Sequence, residues 1–87
     1  MRIYSLFDRK VKEYGQLVLS QNDEAVKRSM LEGLQRGNAG TVGQYPEDFD
    51  LMCLGVFDPE RGRIVPEDIP FLVVNVAELI PTSKPEA

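Results

Sequence analysis

Phe49-Asp50-Leu51-Met52-Cys53-Leu54-Gly55-Val56-Phe57, followed by Asp58-Pro59-Glu60-Arg61-Gly62 and Arg63-Ile64-Val65, is the stretch whose reading decides the fold. Residues 49–57 are nearly all apolar, the pattern of a central strand that meets other groups on both faces. Pro59 suits a turn position with φ near −65°, and Gly62 suits one where φ turns positive. The stretch therefore predicts a β-hairpin whose return strand, residues 63–65, is short and ended by Pro66.

Downstream, residues 69–76 predict a last strand with Pro70 at its start or on a sheet edge, while residues 77–80 also fit a short helical turn. Upstream, residues 2–7 are rich in β-prone types and predict a first strand. Residues 14–19 predict a second, short strand with Gly15 as a bend or bulge. Between the two halves lies a helix. Asn22 is suited to cap it, Asp23 and Glu24 complement its dipole, and Val26, Met30, Leu31 and Leu34 recur on one face. Gly37 is placed to end it as a left-handed residue.

Residues 37–48 carry three glycines, Gly37, Gly40 and Gly43. A phosphate-binding glycine loop follows a strand and opens a helix, whereas this one follows a helix and precedes a strand. Nucleotide binding is set aside and a flexible connection expected. The element order, strand, strand, helix and then three strands, predicts an α+β fold. Its antiparallel sheet has four to five strands, with one helix (about residues 23–36) packed on one face. A single domain over residues 1–80 and a disordered tail over 81–87 are expected.

One helix covers one face of a sheet. Met52, Leu54 and Val56 are expected on the other, which makes a homodimer joined through that face the simplest way to bury them. Size points the same way. A chain of 87 residues buries only about 60% of its unfolded surface, and no disulfide or metal is on offer as a staple. With 43% apolar and 28% charged residues the composition is that of a globular chain.

The chain has no His, no Trp and a single Cys. These absences exclude His-based acid–base chemistry, a His/Cys metal site within one chain and an intrachain disulfide. Cys53, inside an apolar run, reads as a small buried hydrophobe of a reducing cytoplasm. The acids around Phe49 and in the 58–62 turn match no calcium-loop pattern and read as solvated turn residues. No catalytic residue, metal or cofactor is assigned. The longest apolar run, residues 71–74, is too short to cross a membrane, and the N-terminus lacks a signal-peptide pattern.

Charge is uneven. Residues 1–36 carry seven basic and five acidic side chains, net +2, whereas residues 37–87 carry three basic and nine acidic, net −6. Arg9, Lys10 and Lys12 follow the first strand, Lys27 and Arg28 lie on the helix, and Tyr14 stands near the first group. Phosphates need a concentrated basic face and single strands need aromatics to stack on, so these six are the candidate nucleic-acid contacts. An acidic chain with pI near 4.7 is not the usual DNA binder, which keeps core aromatics and a solvated charged face as the competing reading.

Tyr45-Pro46-Glu47-Asp48-Phe49-Asp50-Leu51, then Leu54-Gly55-Val56-Phe57-Asp58 and Gly62, resembles the small nonstructural protein of gokushoviruses, tailless single-stranded DNA phages of the Microviridae. Ile3-Tyr4-Ser5-Leu6-Phe7-Asp8-Arg9-Lys10 is comparable to that family's opening. The resemblance covers most of residues 2–66, with residues 46–58 its distinctive part. It implies a non-virion protein of the host cytoplasm that serves viral DNA synthesis or the switch to packaging single strands. It brings no catalytic residues.

Three roles follow as expectations. The first is a non-enzymatic dimer holding viral single-stranded DNA. The second is an acidic module that engages a viral replication or host protein through residues 37–87 or an exposed strand edge. The third is a scaffold acting in assembly.

Overall fold

The computed structural model describes residues 1–80; the disorder expected for 81–87 lies outside the described residues. Strands β1 (Arg2–Asp8), β2 (Glu13–Tyr14) and β3 (Val18–Ser20) precede helix α1 (Asp23–Gln35). A four-residue helix α2 (Thr41–Gln44) and a 3₁₀ turn (Pro46–Asp48) lead into β4 (Phe49–Asp58) and β5 (Arg63–Asn75), and a second 3₁₀ turn (Val76–Leu79) closes the described chain.

The five strands form one antiparallel sheet in the order β2-β1-β4-β5, with β3 also paired to β1. The expected α+β architecture is present, with β4 central and α1 on one face. Along β4 the odd positions Phe49, Leu51 and Cys53 are buried and the even positions are not, the alternation of a strand covered on one side. Tyr4, Leu51 and Cys53 meet Val26 of α1 in the core, and Leu6, Met30, Val73 and Val74 pack around them. Cys53 is free and fully buried, as its apolar surroundings indicated.

The helix begins and ends where its residues direct. The Asn22 side chain accepts from the Ala25 N–H at 2.8 Å, satisfying one of the donors left open at a helix start. At the other end Gly37 has φ 74°. Its N–H bonds the Leu34 carbonyl while the Asn38 N–H bonds the Gly33 carbonyl, the paired closure of a Schellman motif.

Three expectations need correction. Residues 14–19 are not one strand, because Gly15-Gln16-Leu17 leaves the ladder between β2 and β3. Residues 37–48 are not a plain flexible connection, since α2 and the first 3₁₀ turn occupy them. Pro66 does not end the return strand. β5 runs through both prolines because residues 67–70 bulge out opposite Leu54, with Gly55 paired to Pro66 and Cys53 to Phe71. Pro70 lies inside the bulge, where its missing N–H removes no ladder bond, and Pro66 pairs with Gly55 at the bulge's edge.

Gly55 makes that crossing possible. A Cβ at Gly55 would lie 2.5 Å from the Val65 carbonyl oxygen and 2.9 Å from the Pro66 Cα, so only glycine admits the return strand so closely. Residues 77–80, open between strand and helical turn, take the turn, which Asn75 caps by accepting from the Ala77 N–H at 3.1 Å.

Candidate nucleic-acid interface

The hairpin between β1 and β2 presents most of the candidate cations. Asp8 organises it. Its carboxylate accepts from the N–H groups of Lys10 and Val11 at 2.9 and 3.3 Å, and its carbonyl accepts from the Lys12 N–H at 2.6 Å. Lys12 consequently sits at φ 68°, a left-handed conformation that a side chain ordinarily avoids. The hairpin at residues 58–62 repeats the design. Asp58 receives the Glu60 and Arg61 N–H groups on its carboxylate and the Gly62 N–H on its carbonyl, with Gly62 at φ 65°. One hairpin places a glycine at the strained position and the other a lysine.

Of the six candidate contacts, Arg9 is the most engaged. Its guanidinium donates to the Glu47 carbonyl and lies 3.7 Å from the Asp50 carboxylate, while its N–H bonds the Asp48 carbonyl at 2.9 Å. Asn75 completes this junction by donating to the Glu47 and Phe49 carbonyls and to Asp50 Oδ1 at 3.1, 3.2 and 2.9 Å. The stretch that carried the gokushovirus resemblance is thus held by a polar knot between the first hairpin and the end of β5. Lys27 is paired with Glu24 at 3.3 Å, one turn away. Among the described residues no ion pair engages Lys10, Lys12 or Arg28, and all three are exposed.

Tyr14 stands beside this hairpin with its ring 4.9 Å from that of Phe7, tilted by 50°. Phe7 is half-buried and Tyr14 is 43% exposed, so a supported aromatic surface stands next to Lys10 and Lys12 in the chain. Tyr4, the other nearby aromatic, faces the core. Its hydroxyl donates to Asp23 Oδ1 at 2.6 Å, and burial, reinforced by that bond, pushes the phenol well above its ordinary value.

The candidate dimer residues do not form one regular row. Met52 is opposite Ser5, and Leu54 follows by alternation, but the ladder shifts between Ile3 and Tyr4. Beyond that irregularity Val56 pairs with Arg2, and alternation along β1 sets Arg2 on the face of Tyr4 and Leu6.

Two features had no local signal. One is the Arg9–Asp50–Asn75 junction, whose members are far apart in sequence. The other is a cavity of about 430 Å³ between α1 and the β1–β3 region, where Leu6, Val26, Met30 and Phe49 contribute apolar walls and Asp8 and Glu13 also line the space. Its apolar lining offers nothing to a phosphate. No helix is long and apolar enough to cross a membrane among the described residues.

Comparison with known proteins places these features in context. A family profile described as Phage ORF5 protein matches residues 1–79. Protein ORF5 of Chlamydia phage 1 is 34% identical over 82 residues, which covers 90% of this chain and 85% of that protein. No solved structure matches.

Proposed function

This chain belongs to the phage ORF5 protein family and is a phage accessory protein, and within that role we propose that it acts, without catalysis, in viral single-stranded DNA synthesis or packaging by binding the single strand as a dimer. The gokushovirus resemblance read from its residues agrees with this family. The observation that supports DNA contact is the first hairpin, where Lys10 and Lys12, in no ion pair among the described residues, stand next in the chain to the exposed Tyr14 ring on its Phe7 support. Lysines neutralise phosphates and release counterions, and an aromatic face stacks any base regardless of sequence. Arg28 is a further cation with no ion pair among the described residues; Arg9 and Lys27 already have acidic partners. The protein acts in the host cytoplasm and stays outside the virion in this reading.

The proposal is tested by fluorescence anisotropy with a labelled single-stranded oligonucleotide. Lys10→Glu with Lys12→Glu is expected to weaken binding at least about tenfold at low salt, since two phosphate contacts become repulsive. Unchanged affinity in that double variant contradicts the hairpin as the site.

A second reading, an acidic module for a viral replication or host protein, draws support from β5. It is an edge strand on which Ile64, Val65 and Ile69 are exposed, a surface suited to a peptide strand or an apolar partner. A specific protein recovered in stoichiometric amount with the wild type, and lost with Ile69→Glu, supports it.

A further inference from the structure

We propose that the cavity between α1 and the first hairpin receives one unstacked base of the bound single strand, and that it favours a base with an exocyclic amino group. The inference rests on the DNA contact proposed above and adds where a base goes once the hairpin lysines hold the phosphates.

The cavity, of about 430 Å³, is lined on the hairpin side by Val11, Glu13 and Tyr14 and on the helix side by Val26 and Met30. It arises from the fit of α1 to the sheet. Val26 is buried while Met30, one turn on, is only half-buried, so apolar surface stays uncovered between helix and hairpin. Val11 and Tyr14 are both exposed, and the space is therefore reached from solvent along the hairpin.

Position joins the cavity to the phosphate contacts. Val11 lies between Lys10 and Lys12 in the chain, and Tyr14 follows two residues after Lys12 with its ring resting on Phe7. A strand whose phosphates meet the two lysines carries its bases past the cavity. Single strands splay bases out of the stack readily, and a splayed base is held by apolar and aromatic walls. The volume lies within the range of sites that take small ligands, about 300–1,000 Å³.

Charge selects the occupant. The charged residues that line the cavity are Asp8 and Glu13. They stand directly opposite one another in the β1–β2 ladder, so they project to the same side, where like charges repel. The Asp8 carboxylate already accepts from two hairpin N–H groups, whereas among the described residues no ion pair engages Glu13. A carboxylate accepts and does not donate. What suits this edge is a donor, such as the N4 amino group of cytosine or the N6 amino group of adenine, and thymine has neither. A free apolar molecule leaves Lys10 and Lys12 unused, and a basic peptide is repelled by them. A nucleotide joins an anionic phosphate to a flat ring edged with donors, which uses both the lysines and the cavity.

Fluorescence anisotropy on the full chain tests the base site with two labelled oligonucleotides of equal length, one of thymine alone and one of thymine and cytosine in alternation. The wild type is expected to prefer the second about fivefold, the scale of one hydrogen bond, and Glu13→Ala to abolish that preference. Val18→Trp and Val42→Trp fill the cavity from β3 and from α2. Each is expected to weaken binding at least about tenfold, the scale of one lost stacked base. The salt slope stays unchanged, because the lysines keep their phosphates, and circular dichroism checks that each variant is folded. Equal binding of the two oligonucleotides by the wild type overturns the base site, as does unchanged affinity in the folded, cavity-filled variants. If Lys10→Glu with Lys12→Glu still weakens binding in that case, the DNA contact stands without the base site. No binding of either oligonucleotide at low salt overturns both together.

Discussion

The Tyr4 hydroxyl, on the first strand, donates to the Asp23 carboxylate, in the first turn of α1, at 2.6 Å. This bond ties the start of the helix to the sheet and leaves the phenol proton deep in the core. Burial first, and the Asp23 bond second, hold the Tyr4 pKa well above the usual tyrosine range. A group whose folded pKa is raised contributes stability that is complete below its unfolded pKa, near 10, and is lost as pH rises beyond it. Tyr4→Phe is therefore expected to lower stability at neutral pH by about 1–2 kcal/mol for the lost hydrogen bond. It also removes part of the alkaline destabilisation. Urea unfolding of both proteins at pH 7 and above pH 10 checks this: the difference between them narrows at high pH. A constant difference contradicts the assignment.

Lys12→Gly is expected to stabilise the protein by about 1 kcal/mol, because glycine adopts φ 68° without the side-chain clash that lysine meets. The reciprocal change, Gly62→Lys in the matched hairpin, is expected to cost a similar amount. Urea midpoints of the two variants should move in opposite directions.

Gly55→Ala is expected to destabilise by about 3 kcal/mol, within the range found for overpacked cores. The new methyl falls against the Val65 carbonyl and the Pro66 backbone, which cannot move without opening the β4–β5 ladder. A lowered thermal midpoint with a weakened strand signature in circular dichroism is the expected result.

The Asp58 carboxyl is held below the usual carboxylate range, chiefly by Arg61 and also by the Glu60 and Arg61 N–H groups. A depressed folded pKa contributes stability that is present above the unfolded value near 4 and is lost as pH falls through the folded one. Asp58→Asn is accordingly expected to flatten the acid limb of the stability profile below pH 4. An acid limb identical to wild type contradicts this.

Much of the fold was legible because its signals are local. Asn22, the apolar spacing of α1 and Gly37 define a helix within sixteen residues, and the alternation that buries Leu51 and Cys53 is visible in β4 itself. The length of β5 was hidden because Pro66 reads as the end of one strand and Pro70 as the start of another, whereas the bulge at 67–70 takes that segment out of the ladder. The candidate site was less legible for a related reason. Nothing near Arg9 announces that Asp50 and the Glu47 carbonyl will occupy its guanidinium, nor does an apolar row in β4 announce the irregularity that carries Val56 round to Arg2. Lys12 hid its left-handed turn because glycine marks such positions. The four-residue spacing from Asp8 to Lys12, matched from Asp58 to Gly62, is the signal that reveals it.

The most direct test of the functional account is an anisotropy titration of the wild-type protein with a labelled single-stranded oligonucleotide at several salt concentrations. For the proposed dimer, with the two hairpin lysines of each protomer on phosphates, the logarithm of the binding constant is expected to fall against the logarithm of salt with a slope of roughly −3, at about −0.7 per phosphate contact. Absence of binding at low salt contradicts direct DNA contact and leaves a protein partner as the ligand of this phage accessory protein.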